Sequence, residues 1–424
     1  MSITFLTQFY SFQDALSLID AGGAGLTKLI IMTVIYLAVE ALGLSLLCGP
    51  LRKALSFGNE EKNRAVLPLL ILGILFLFPL IGALVPDGPA CWFFQKWGNI
   101  TIGYMIYFFS ILLIVRLAEF AVRAVRRLRT HEKQTPSRAY CRSMLILILA
   151  AAVALNVCGS ITAHDVKTTF YKIPKETLGQ DEPLRIVLIG DTHIGVNSTP
   201  QLYRDMTDRI NEQDPDIVVF AGDIVTSSYG AMREPEVYSE ILSRIQAKRG
   251  KYVVYGNHDV EEPLLGGFTY IGAENALRHP EMEKFIADCG FTLLRDEVII
   301  LPEFNGLCIA GRRDESRPGD GVKVRASLAE LMSGTEPSEP VLLLQHEPSD
   351  LEELDTYGID LSVSGHTHDG QIFPGNIFSR IRGPQSYGLK KWGAANVIVT
   401  SGVGFYGPPI RVATISEIAV IDVE

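Results

Sequence analysis

Apolar residues run in four long blocks through the first 160 positions of this 424-residue chain and then break into short runs. The blocks cover about residues 26–48, 65–85, 101–122 and 144–160. Each approaches or exceeds the roughly 17–25 residues that cross a bilayer as a helix. From residue 184 the pattern becomes short β-rich runs alternating with amphipathic stretches. "RIVLIG" leads to a helix around 199–213, "DIVVFAG" to one around 235–248, and "KYVVYG" to one around 275–288. "FTLL", "EVIIL" and "LCIAG" read as consecutive strands before a helix near 325–333, and "VLLLQ", "LSVSG", "NVIVTSG" and "ISEIAVIDV" complete the set. The expected architecture is an α-helical membrane domain of about four spans over 1–160, a linker over 161–183, and a layered α/β domain over 184–424.

Charge sets the orientation expected of the spans. Arg52, Lys53, Lys62 and Arg64 separate the first two blocks, and seven basic residues from Arg123 to Arg142 separate the last two. Residues 86–99 hold only Lys96, with Trp92 and Trp97 fitting an aromatic interface belt. Both basic loops are therefore expected on the cytoplasmic side of a plasma or inner membrane, and the α/β domain on the extracytoplasmic side. Residues 1–25 contain no Lys or Arg, so they lack the basic start of a signal peptide. An interfacial helix and a frayed lead-in both fit them. Of the charges inside the spans, Lys28 would snorkel. Glu40 or Glu119 would pair with Arg116, a structural role preferred over a proton relay.

The formal charge of −10 divides into +6 over residues 1–160 and −16 over the remainder. An acidic second half argues against nucleic acid as a partner, although a bound cation would still admit a phosphorylated substrate. The six cysteines show no zinc-like spacing; Cys289 and Cys308 read as buried thiols in preference to a bridge.

The chemistry concentrates at the ends of the predicted strands. Asp191 and His193 follow "IVLIG", Asp223 follows "IVVFAG", and Asn257, His258 and Asp259 follow "VVYG". His346 follows "VLLLQ", and His366 and His368 follow "LSVSG". If extended, that last segment would turn both histidines to one side. A lone Gly-Asp or a single core histidine is usually structural, but five of the eight histidines fall at these strand ends. Strand ends are where α/β folds place ligands. The mixed N/O donor set, with no cysteine, suits Mn, Fe or Zn, and seven donors suit two divalent ions better than one. His131, His164 and His279 read as solvated, Arg312, Arg313 and Asp314 as a solvated loop, and Glu417 as a structural hydrogen-bonding group.

Asp191-x-His193, Gly222-Asp223, Gly256-Asn257-His258-Asp259, His346 and Gly365-His366-x-His368 stand in the order of the calcineurin-like metallophosphoesterases, which residues 184–424 resemble. The likeness is greatest to a membrane-associated subgroup marked by "GHTHGGQ" and a late "GPPxR". This chain has "GHTHDGQ" and "GPPIR", with Asp369 in place of a glycine and a negative charge thereby added beside the site. The resemblance implies a layered αββα sandwich binding two divalent ions. One would sit on Asp191, His193, Asp223 and His368, the other on Asp223, Asn257, His346 and His366. It further implies attack on phosphorus by a hydroxide held between the ions. His258 would serve the leaving group or the transition state, and Asp259 would orient its ring.

The expected function is hydrolysis of a phosphodiester, pyrophosphate or phosphomonoester, on a lipid or envelope-linked substrate that a membrane anchor would keep near the site. The alternative is a membrane sensor binding metal or phospholigand without turnover; the intact donor set argues against it. A four-span transporter is disfavoured by the scarcity of polar residues in the spans.

Overall fold

The computed structural model describes residues 24–56, 64–85, 88–130, 135–226, 229–262, 264–265, 268–269, 278–336 and 339–424. The segment 1–23, where an interfacial helix is expected, and His131 lie outside them. The chain divides into two compact units: residues 1–159 with two short later segments, and residues 160–424 apart from those segments.

In the first unit the helices are α1 (Ala24–Leu55), α2 (Val66–Phe76), α3 (Phe78–Leu84) and α4 (Pro89–Thr130). A further helix, α5 (Arg138–His164), runs on into the second unit. Among the described residues three helices are long and apolar enough to cross a membrane, or four if α2 and α3 form one span. Those two meet at a 40° bend, with Pro79 in the first turn of α3. Leu47, Phe76, Phe109, Leu112 and Met144 form their shared core, while most other apolar side chains face outward, as lipid requires. Arg116 and Arg123 both pair with Glu119. Arg116 thus has the partner one turn along its own helix, and one carboxylate oxygen of buried Glu40 has no hydrogen-bond partner.

The second unit is a two-sheet sandwich. Its first sheet has the order β1-β12-β2-β3-β4-β5, with β1 Val166–Ile173, β2 Leu184–Ile189, β3 Ile217–Ala221, β4 Gly250–Val254, β5 Thr292–Leu293 and β12 Ser416–Val423. The second has the order β10-β11-β9-β8-β7-β6, with β6 Glu297–Leu301, β7 Leu307–Gly311, β8 Val341–Leu344, β9 Leu361–Ser364, β10 Gly388–Trp392 and β11 Ala395–Val399. The strands β2, β3 and β4 are mutually parallel, as are β7, β8, β9 and β11. Parallel strands need crossovers, which the amphipathic helices supply.

Three apolar layers hold the sandwich together. Ile186, Leu188, Val219 and Val254 meet Ile309, Leu342, Val363 and Ile398 between the sheets. On the far side of the first sheet lie α6 (Pro200–Glu212), α7 (Pro235–Ser243) and α8 (Met282–Asp288), packed through Met206, Ile210, Ile241 and Phe285. The short α9 (Leu328–Leu331) covers the other sheet with Leu351 and Leu354. Neighbouring residues of one strand face opposite layers, so the central strands are buried on both sides and read as continuous apolar runs. The αββα arrangement agrees with the sequence.

Residues 161–183 differ from expectation. Instead of a linker they contain β1, paired in parallel with β12 from Val166↔Ser416 to Ile173↔Val423. The strand is half solvated and rich in Lys and Thr, as suits a sheet edge, and its partner is remote in sequence. Glu417, on β12, accepts hydrogen bonds from Thr169, Thr400, Tyr387 and the Ser401 amide, the structural role expected of it. Cys289 and Cys308 are buried free thiols. His164 bonds the Ser160 carbonyl and His279 stacks on Tyr229, so neither is simply solvated.

A soluble chain beginning at residue 184 would lose the buried side chains of Val166 and Ile173 and bare the β12 edge. Burial of about 1.5–3 kcal/mol per side chain implies a melting temperature lower by about 10 °C than that of a chain beginning at 165. Circular dichroism melts of the two would check this.

Candidate metal centre

Strands β2, β3, β4, β8 and β9 deliver their polar residues within a few positions of their C-terminal ends. The chain turns sharply there: Asp191, His193, Asp223, His366 and His368 all have positive φ, between 44° and 71°. This region is costly for residues with a Cβ and is kept where the surroundings enforce it. Extended alternation therefore does not bring His366 and His368 together; two left-handed turns do. The neighbouring glycines make room. A Cβ on Gly256 would land on Asp223 Oδ1, and one on Gly365 on Asp191 Oδ2.

The seven predicted donors converge. His193 Nε2 lies 2.9 Å from His368 Nε2 and 3.5 Å from Asp223 Oδ2. His368 Nε2 lies 3.6 Å from Asp191 Oδ1. On the other side, His346 Nε2 is 3.2 Å from Asp223 Oδ2 and 3.0 Å from Asn257 Oδ1. His366 Nδ1 is 2.9 Å from the same amide oxygen and 3.3 Å from His346 Nε2. Among the described residues two groups satisfy the spacing of a cation site, Asp191 with His193 and His368, and Asp191 with Asp223 and His346.

The electrostatics suit metal. Burial pushes His193 down to about 3 and His366 to about 4, and it drives His368 well below the usual imidazole range. All three are therefore neutral, with lone pairs to give. Burial pushes Asp191 up to about 7. Burial opposes ionisation of Asp223 as well, but His346 and His258 prevail and hold its carboxyl well below the usual range. Neutral imidazole nitrogens within 3 Å of each other, with no water between, place lone pair against lone pair unless a proton or cation lies between them. The donor set fits divalent ions.

The supports behind the donors are specific. His346 Nδ1 meets the Ala221 carbonyl at 2.7 Å, leaving Nε2 for the site. The His366 amide donates to both Asp191 oxygens, and the His258 amide donates to Asp223 Oδ1 at 2.8 Å. Arg411, fully buried, donates to the carbonyls of Ser401, Gly402 and Gly404 and lies 3.3 Å from His368 Nδ1.

Two expectations change at His258. Asp259 does not orient its ring: that carboxylate accepts from the amides of Ile224, Val225 and Gly256 at 2.7–3.0 Å. The ring partner is Glu262, whose Oε1 lies 2.5 Å from His258 Nδ1. Glu262 in turn pairs with Arg317, and Arg317 donates to the Asn257 carbonyl at 2.9 Å. The Tyr406 ring stands 4.3 Å from that of His258. None of Glu262, Arg317 and Tyr406 lies in a sequence block that pointed to the site. The one available signal was Glu262 four residues beyond His258, which is weak outside a helix.

Asp314 also departs from expectation. It is buried, and its Oδ1 accepts from Ser316 Oγ and the Arg317 amide, shaping the turn that carries Arg317. Asp369 adds no free charge beside the site, because Arg380 clasps it with two hydrogen bonds of 2.7 and 3.1 Å.

Residues 184–370 match the model of the calcineurin-like phosphoesterase family. A Danio rerio protein named "Transmembrane protein with metallophosphoesterase domain" is 28% identical over 373 residues, covering 82% of this chain and 78% of its own. An "Uncharacterized metallophosphoesterase" of Aquifex aeolicus is 28% identical over 279 residues, covering 64% of this chain and 97% of its own. One of Helicobacter pylori is 28% identical over 246 residues, covering 56% and 59%.

Manganese should stabilise the folded state. At about 100 times its dissociation constant a ligand adds about 2.7 kcal/mol. The full-length protein should melt higher after Mn²⁺ addition and fall back with chelator, and Asp223→Asn should lose most of that rise. Scanning calorimetry of the two proteins in detergent would check it.

Proposed function

From a membrane protein whose residues 184–370 form a calcineurin-like phosphoesterase domain, we propose a binuclear phosphohydrolase that cleaves a phosphodiester, pyrophosphate or phosphomonoester. The supporting observation is the convergence of two buried carboxylates, four imidazoles and an amide oxygen on one cleft. Asp191, His193, Asp223 and His368 would hold one divalent ion, and Asp223, Asn257, His346 and His366 the other. Bound there, the pair would supply activated water at neutral pH and neutralise charge on a phosphoryl group. Either Mn, Fe or Zn fits the donors.

The protein's own groups supply the rest. Glu262 occupies His258 Nδ1, so Nε2 is the ring nitrogen left to meet a substrate oxygen. From there it delivers a proton to the departing oxygen or stabilises charge on the phosphoryl group. Arg317 fixes Glu262, and the Tyr406 face limits tilting of the ring. Asp259 ties the turn after β4 to the one after β3, holding Asn257 opposite Asp223.

The substrate class we propose is a lipid or envelope-linked phosphate, supported by the apolar helices of the same chain. Arg52 and Lys53 close α1, and Arg127 and Arg129 close α4. With α2 and α3 as one span, these ends lie on the cytoplasmic side and the metal centre on the extracytoplasmic side.

Hydrolysis of paired aryl phosphomonoester and phosphodiester substrates by full-length protein, after chelation and Mn²⁺ add-back, tests the activity. Asp223→Asn should abolish turnover and His258→Ala should cut kcat by about 10²–10⁴. Glu262→Gln should lower kcat while leaving the melting temperature in place. Asp259→Asn should instead cost about 1–3 kcal/mol of stability. Metal uptake without turnover of either substrate would sink the assignment for these linkages. For orientation, a cysteine at exposed Lys284 should react with an impermeant thiol reagent on intact cells; full protection would reverse the topology.

A further inference from the structure

Helix α10 (Gly375–Arg382) begins five residues after Gly370, where the turn carrying His368 ends. Its buried side is marked by Asn376, whose Nδ2 reaches the Ala413 carbonyl, while the exposed Arg380 reaches back to Asp369. The opposite arc carries Ile377, Phe378 and Ile381, spaced so that all three lie within about 100° of the helix circumference. Phe378 is 59% exposed and Ile381 74%. Phe373, just before the helix, is exposed too. Among the described residues of the α/β unit ten large apolar side chains are exposed, and these nine positions hold four of them. Such clustering on a soluble surface marks an interaction site.

Charge identifies the partner. Residues 370–416 contain Arg380, Arg382, Lys390, Lys391 and Arg411 but no Asp or Glu, within a half-chain whose balance is −16. Arg411 is buried and Arg380 is committed to Asp369. That leaves Arg382 beside the apolar arc, with Lys390 and Lys391 exposed on β10. Exposed Ile and Phe flanked by Arg and Lys are the composition of an interfacial helix on anionic lipid. One residue, Asp165, separates the last apolar helix, α5, from β1. We propose that α10 is a lipid-docking helix, seating Ile377, Phe378 and Ile381 among the acyl chains of an anionic bilayer surface with Arg382 at the headgroups.

The test uses full-length protein in nanodiscs, with Cys48→Ser and Cys158→Ser and a fluorophore on Ile381→Cys or, as control, on Lys284→Cys of α8. Lipids carrying a nitroxide near the glycerol level should quench the Ile381 probe several-fold more than the control. The difference should grow with anionic lipid content and shrink with Ile377→Asp and Phe378→Asp. Because each probe lies on an exposed surface, loss of fold is checked by an unchanged melt, and none of these readings depends on hydrolysis. Equal quenching at both positions would overturn the proposal. So would an Ile381 probe shielded from aqueous iodide yet untouched by lipid nitroxide, which would mean that another protein surface or a second copy covers the helix.

Discussion

A carboxylate with no access to water must find positive charge or give up its own. Asp223 is that group here: almost wholly buried, it is held ionised by the histidines around it and by the His258 amide. Much of the surrounding backbone answers to this requirement. Gly256 leaves space for its Oδ1, the turn after β4 aims an amide at it, and left-handed residues at two other strand ends swing imidazoles or a second carboxylate inward. The sandwich of two mostly parallel sheets brings those ends to one edge.

Every candidate donor was legible because each stands directly after an apolar run, and strand ends of parallel sheets open at one edge. The reason first given for His366 and His368 was nevertheless wrong, since both lie in tight turns and not in an extended segment. The orienting carboxylate was misread for a related cause. Adjacent in sequence, Asp259 and His258 point apart once the turn after β4 forms, and Glu262 arrives from the next stretch of chain. Hydrogen-bond partners within a turn depend on dihedral angles that no spacing rule carries. Edge strand β1 escaped notice because half its residues are polar and its only partner is remote. Asp369 looked like added charge until Arg380 was found on it.

The same salt bridge links the metal turn to the surface. Asp369 sits one residue after His368 in the turn, and its partner Arg380 lies in the last turn of α10. A glycine at 369 would leave the helix without that tie. The substitution thus changes how firmly an exposed apolar face is presented, with the donors unmoved.

The position of β12 carries a consequence for how the protein is made. This strand is threaded between β1 and β2, and its Glu417 joins Thr169, a residue 248 positions earlier. Neither neighbouring strand has its full complement of backbone partners until β12 has emerged. During synthesis the earlier strands must therefore wait with open hydrogen-bonding edges, exposed to mispairing and to proteolysis. Closure of the donor cleft is bound to follow synthesis of β12, making completion of the sheet a natural checkpoint in folding.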